Sequence, residues 1–227
     1  VAQLLPGRAE FGGIVTNLAR EVEQAGASIH AGITVTPAHI AAARPDQVIL
    51  ATGSGLASPI FEGREDATNV VHAVDVIAGR ARTGKRVVIY DWLADWVGAG
   101  TAEKLASEGA HVRLAVNGLA AAANIQNYVR DVYVGKLHKL GVEVVAYMRL
   151  YGIDGSTVYF LHTASQQPVV LEDVDTLVLA CPNAPEDGLA ADIRGLAIPV
   201  TLIGDCLAPR TAEEAVYEGL KAAAALT

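Results

Sequence analysis

Four short apolar runs constrain what this chain can fold into: QVIL before Ala51, RVVIY before Asp91, DTLVLA before Cys181 and VTLI before Gly204. Each is too brief for a helix. Each is also apolar at consecutive rather than alternate positions, the pattern of a strand covered on both faces. Strands of that kind belong to parallel sheets, whose neighbours are joined by crossovers that are usually helical. Helical patterns do separate the runs, so the expected class is α/β, built from two interleaved units.

The pass along the chain fills in the rest. GIVTNLAREVEQAG, residues 13–26, places Ile14, Leu18 and Val22 on one helical stripe packed against a core, and Gly26 ends it. A short strand is expected at Ser28–His30. Thr36 followed by Pro37 reads as an N-cap with proline at the first helical position, giving a helix PAHIAAA that stops before Pro45. Residues 54–69 read as loop, residues 74–78 as a helical turn and GRARTGK, residues 79–85, as a hinge. RVVIY, the helix GTAEKLASEG, HVRLAV, a helix over 126–140 and the strand VEVVAYM follow. Residues 156–160 and 168–171, separated by TASQQ, read as a hairpin or meander. The chain closes on an alanine-rich helix over 211–226 with Glu213 and Glu214 favourably placed in its first turn.

Composition removes several function classes. Of 227 residues, 52% are hydrophobic and 19% charged, a globular profile. A formal charge of -8, with 17 scattered Lys and Arg, argues against nucleic acid or an anionic membrane as partner. No run approaches the ~18 apolar residues of a membrane helix and no secretory signal opens the chain, so the expected location is the cytoplasm. Cys181 and Cys206 have no metal-ligand spacing and read as free thiols in a reducing compartment. The six histidines stand apart in sequence and read as structural or surface groups. Neither a metal site nor a catalytic residue is expected. The chain opens at Val1 inside what reads as a loop, LLPGRAEFGG, and so reads as a piece of something longer.

The strongest site signal is TLIGDCLAPRTAEEAVYEGLKAA. A strand ending in Gly204-Asp205, then a short loop and a helix start, sets a carboxylate beside exposed amides; Asp205 can accept from a sugar hydroxyl while Gly204 lets the backbone come close. VILATGS ends the same way in small residues, and VLACPNAP repeats the shape without the glycine. VVIYDWLADWVGAG opens like a dinucleotide-binding βα unit but lacks G-x-G-x-x-G. Trp92 and Trp96 add bulk, Asp91 and Asp95 add negative charge, and Gly98 with Gly100 leaves room for a longer, shifted turn.

LPGRAEFGGIVTNLAREVEQAG, VILATG, VVIYDWLADWVGAGTAEKLASEGAHVRL and LIGDCLAPRTAEEAVYEG together resemble the C-terminal region of the multidomain flavoproteins that include trimethylamine, dimethylamine and histamine dehydrogenase, 2,4-dienoyl-CoA reductase and related N-demethylases. The resemblance implies two Rossmann-like domains. One, FAD- or ADP-binding, is discontinuous over 1–80 and 174–227 and lacks its N-terminal βαβ; the other, NAD(P)-like with a degenerate glycine fingerprint, is inserted at 81–173. It assigns cofactor contacts to Ala51, Thr52 and Gly53, to Gly204 and Asp205, to Arg210 and Thr211, and to Val35 near the adenine. Any FAD or ADP site here would be partial, its G-x-G-x-x-G lying upstream. FMN and a 4Fe-4S cluster would belong to a TIM barrel outside this chain, the natural packing partner, and the assembly would be a homo-oligomer. The degenerate turn resembles the amine-dehydrogenase branch and leaves NAD(P)H binding open. Part of an NAD(P)H-dependent enoate or dienoyl-CoA reductase, and a structural module with no cofactor, are the other two readings.

Overall fold

The computed structural model describes residues 1–65, 67 and 69–226. Positions 66 and 68 of the expected loop, and position 227, lie outside the described residues. In chain order the elements are helices α1 (Gly12–Gln24) and α2 (Pro37–Ala43), strands β1 (Val48–Leu50), β2 (Ser54–Leu56) and β3 (Val70–His72), helix α3 (Ala73–Ile77), strand β4 (Arg86–Asp91), helix α4 (Trp96–Ser107), strand β5 (His111–Val116), helix α5 (Asn127–Lys139), strands β6 (Glu143–Val145), β7 (Met148–Asp154), β8 (Thr157–His162), β9 (Pro168–Leu171), β10 (Thr176–Ala180) and β11 (Asn183–Pro185), helix α6 (Gly188–Asp192), strand β12 (Val200–Leu202) and helix α7 (Ala212–Ala224).

These form a mixed α/β structure with parallel sheets, divided into two compact units. The larger unit holds Val1–Glu21 and Ser58–Cys181. Its five-stranded parallel sheet has the order β3-β10-β4-β5-β6. The consecutive apolar residues of β4 divide between two faces, as a doubly covered strand requires. Val87 and Ile89 pack with Ala99, Ala102 and Leu105 of α4 and Leu137 of α5. Val88 and Tyr90 pack with Met148, Leu150, Val158 and Phe160 of an antiparallel sheet, β7-β8-β9. The hairpin expected at 156–171 is thus part of a three-stranded cover. Strand β10 sits between β3 and β4, so these three strands lie together in the larger unit. The ladder bonds on both edges of β10 tie it there.

The smaller unit holds Val22–Ala57 and the chain from Pro182 onward. Strands β1 and β12 pair in parallel, Val48 against Val200 and Leu50 against Leu202, over a small core of Ile40, Leu50, Ile193 and Cys206. Strands β2 and β11 pair antiparallel. Helix α2 forms as the sequence predicts: Pro37 starts it, Thr36 caps it, and the His39 ring accepts the Thr36 amide at 3.1 Å. It stops at Arg44, whose left-handed φ of 49° leads out of the helix before Pro45.

Several expectations change. No ladder forms along Ser28–His30 among the described residues, and Ile29 is 51% exposed; a strand needs a hydrogen-bonded neighbour, and none is there. VEVVAYM is two strands, because Tyr147 takes a φ of 61° and bonds its amide to the Gly118 carbonyl. Residues 54–56, expected to be loop, are β2. Helix α1 forms, but Ile14, Leu18 and Val22 stay exposed rather than packed. Among the described residues no helix is long and apolar enough to cross a membrane.

Candidate functional site

Strands β1 and β12 run side by side, so the turns that leave them open at the same end. Beyond β1 come Ala51, Thr52 and Gly53; beyond β12 come Ile203, Gly204 and Asp205. Gly53 (φ 81°) and Gly204 (φ 63°) are both left-handed, a conformation side chains resist, and each turns its chain sharply. Arg210 and Thr211 then lead into α7. A cleft of about 410 Å³ lies between these segments, lined by Ala51, Gly53, Ile203, Gly204, Asp205, Arg210, Thr211, Ala212 and Ala215. Small-molecule pockets have this size.

Asp205 is half-buried and faces the cleft. Its Oδ2 accepts from the Ser54 hydroxyl at 3.0 Å and its Oδ1 from the Arg210 amide at 3.2 Å. A carboxylate has about four acceptor sites, so two remain for hydroxyl groups of a ligand. Ser54 is in turn held by Asn183 Nδ2 at 3.1 Å. Glu218, on the second turn of α7, accepts the Gly204 amide at 2.7 Å and pairs with the Arg210 guanidinium. Those donors, Arg210 first and the Gly204 amide next, hold the Glu218 carboxyl below the usual carboxylate range. Helix α7 carries a capping box: Thr211 accepts from the Glu213 amide, and Glu214 reaches back to the Thr211 amide.

Of the residues the resemblance assigned, Ala51, Gly53, Gly204, Asp205, Arg210 and Thr211 line this cleft together. Thr52 turns away and donates its hydroxyl to the Glu186 carbonyl. Val35 does not line the cleft; it lies on irregular chain, 50% exposed. Ser54, Asn183 and Glu218 were not anticipated. Glu218 was readable in principle, since it lies four residues after Glu214 on the same helical face. Asn183 brings no local signal, because strand pairing across the chain delivers it.

The other βα turn, β4 to α4, is built differently. Gly98 and Gly100 are both inside α4, so there is no lengthened glycine turn, and Asp95 caps the helix by accepting the Val97 amide at 2.8 Å. Asp91 is fully buried at the end of β4. Burial first, and then Asp95, push its carboxyl up to about 7; burial likewise pushes the neighbouring Cys181 thiol up to about 12. Cys181 and Cys206 are free thiols, and no group of three or more metal-ligating side chains occurs among the described residues.

No family model matches the chain. It is 24% identical over 259 residues to an N,N-dimethylglycine/sarcosine dehydrogenase of Chromohalobacter salexigens, covering 97% of this chain and 37% of that protein. It is 33% identical over 143 residues to an NADH oxidase of Thermoanaerobacter brockii, covering 63% of this chain and 22% of that one. The structure of histamine dehydrogenase from Rhizobium sp. 4-9 superposes with a TM-score of 0.88 at 22% identity, over 98% of this chain and 37% of that one, and so shares the fold. The chain spans between about a fifth and just over a third of the length of these proteins.

Proposed function

We propose, from the premise that this chain belongs to the multidomain flavoprotein family of trimethylamine dehydrogenase and 2,4-dienoyl-CoA reductase, that its smaller unit is one wall of an adenine-nucleotide site in a flavin-dependent oxidoreductase. The observation that carries the reading is the gathering of Ala51, Gly53, Gly204, Asp205, Arg210 and Thr211 around one cleft. The residues fit FAD or ADP: the left-handed glycines Gly53 and Gly204 bring bare backbone to the cleft, and Asp205 keeps free acceptor sites. FAD, when bound, supplies a two-electron acceptor. The chain's own part is to bind: Asp205 takes hydroxyl donors, and Glu218 and Ser54 fix the turn and the carboxylate, while the amides of Arg210, Thr211 and Glu213 are bonded to Asp205, Glu214 and Thr211 and shape the cleft rather than grip a phosphate.

The other wall belongs to a segment outside this chain. Among the described residues β1 pairs only with β12, which leaves one edge open, and Ile49 on that strand is 36% exposed. The apolar faces of α1 and of α7, where Val216, Tyr217 and Leu220 are all more than 60% exposed, invite cover from the same source. A FMN- and 4Fe-4S-bearing barrel and a homo-oligomer remain the partners that the resemblance implies. The substrate class we favour is a methylated amine, because the β4–α4 turn has no glycine loop with which a reductase would hold NADPH.

The test uses the full-length native protein. Denaturation is expected to release FAD or ADP in near-stoichiometric amount, and Asp205→Ala to lower that amount at least tenfold with the fold intact. Release of FMN alone, with no adenine nucleotide, refutes the site and favours a purely structural module.

A further inference from the structure

The start of α4 is where a parallel βα unit ordinarily receives a dinucleotide phosphate, through free amides at the helix N-terminus and a glycine that lets the ligand approach. In the larger unit both provisions are taken by the chain itself. Asp91 Oδ1 accepts the Ala94 amide at 2.9 Å, and the Leu93 amide also donates to this carboxyl. Asp95 accepts the Val97 amide at 2.8 Å and draws on the Gly98 amide as well. The donors that would wrap a phosphate are thus divided between two protein carboxyls.

The glycines are filled too. A Cβ on Gly98 would stand 2.2 Å from Asp91 Cγ and within 2.5 Å of both its oxygens, so the carboxyl lies flat in the space that the missing side chain leaves. A Cβ on Gly100 would stand 2.8 Å from a Leu5 methyl. Arg8, three residues further along the same N-terminal segment, stacks its guanidinium 3.7 Å over the Trp96 ring. Asp91 Oδ2 is buried with no hydrogen-bond partner, an uncommon state for a carboxylate oxygen. A fully buried acid with one oxygen unpaired, aimed into a helix start, is what remains when a side chain stands where a ligand's anion would be. Its carboxyl fills the seat in either protonation state, since the Ala94 amide can donate to Oδ1 in both.

We infer that Asp91 is the resident occupant of the α4 anion seat and the residue that closes the β4–α4 turn of this chain to NAD(P)H. Gly98 is small to receive that carboxyl and Gly100 to receive Leu5; neither is the remnant of a working fingerprint. The inference does not depend on the cleft of the smaller unit, and Asp205→Asn serves to keep the two apart.

The test compares the full chain as wild type, Asp91→Ser and Asp91→Asn, with NADH, NADPH and inorganic pyrophosphate as probes. The chain's two tryptophans, Trp92 and Trp96, both flank the turn and report on it by fluorescence. Wild type is expected to show no saturable change at the tryptophans with any probe. Asp91→Ser, which empties the seat, is expected to bind pyrophosphate at least tenfold more tightly than wild type. Asp91→Asn, which keeps the shape and the accepting oxygen, is expected to remain like wild type. An equal gain in Asp91→Asn, or none in a folded Asp91→Ser, overturns the inference. Should Asp91→Ser not fold, the wild-type arm decides: saturable NADH binding that quenches the tryptophans and survives Asp205→Asn overturns it, and its absence upholds it.

Discussion

The two strand-to-helix turns of this molecule start from the same plan and end in opposite states. In both, a parallel strand ends, an aspartate lies at or just past its end and a helix begins. At β12–α7 the carboxylate of Asp205 lies three residues past the strand, half-buried, with a cleft in front of it and acceptor capacity to spare. At β4–α4 the carboxylate of Asp91 is the last residue of the strand itself, fully buried and pressed against Gly98. A shift of a few residues along the chain therefore decides whether a carboxylate serves a ligand or stands in for one.

The sharpest way to break this contrast is pH. Burial raises the Asp91 carboxyl to about 7 in the folded chain, while in the unfolded chain it titrates in the usual range near 4. The folded state then holds a proton that the unfolded state releases, so stability falls as pH rises from about 4 to about 7 and stays lower above. Asp91→Asn removes that dependence. The difference in urea-unfolding free energy between the variant and wild type is expected to grow by on the order of a few kcal/mol across this window, in favour of the variant. A flat difference means Asp91 is ionised and satisfied in the fold.

Gly98→Ala comes next. It forces a methyl into the Asp91 carboxyl and is expected to cost about 3 kcal/mol by urea unfolding, the upper part of the range for overpacking. In an Asp91→Ala background the same change should cost markedly less, and additivity of the two would show that they do not share the space. Gly204→Ala tests the other turn by a different route: a Cβ there meets only Ala215, at 3.5 Å, so the cost is the left-handed φ of 63°, about 1 kcal/mol. Its larger consequence should be in nucleotide retention by the whole protein. Smallest is Gly100→Ala. The atoms it meets are the far end of the Leu5 side chain, which can give, so the loss should stay below about 1 kcal/mol and vanish in Leu5→Ala.

The strands of the parallel sheets were legible because nothing else reads as a continuous apolar run with small residues at its end; β1, β4, β5, β10 and β12 all lie where the runs placed them, although β1 and β12 are only partly covered rather than buried on both faces. The helices with an apolar period or a capping signal, α1, α2, α5 and α7, were legible for similar reasons. Short strands defined only by a neighbour were not. Strand β2 exists because Asn183–Pro185 comes alongside, and Ser28–His30 fails because nothing does. Much of the cleft was legible in Gly-Asp and Ala-Thr-Gly, and Glu218 in the spacing of α7, while Ser54 and Asn183, which steady the carboxylate, are brought in by distant pairing. The glycines of VGAG misled for a physical reason. Sequence shows that a Cβ is missing, and only the fold shows that Asp91 and Leu5 occupy the vacated room.

In a parallel ladder alternate residues face opposite neighbours. The Val48 amide bonds to the Pro199 carbonyl and the Leu50 carbonyl accepts from the Ile203 amide, so both of those residues address β12. The N–H and C=O of Ile49 must then point the other way, toward an edge that has no strand beside it among the described residues. One peptide group thereby becomes the natural witness of assembly. Its deuterium uptake would run at the pace of solvent while that flank is bare and slow by orders of magnitude once a companion strand zips on.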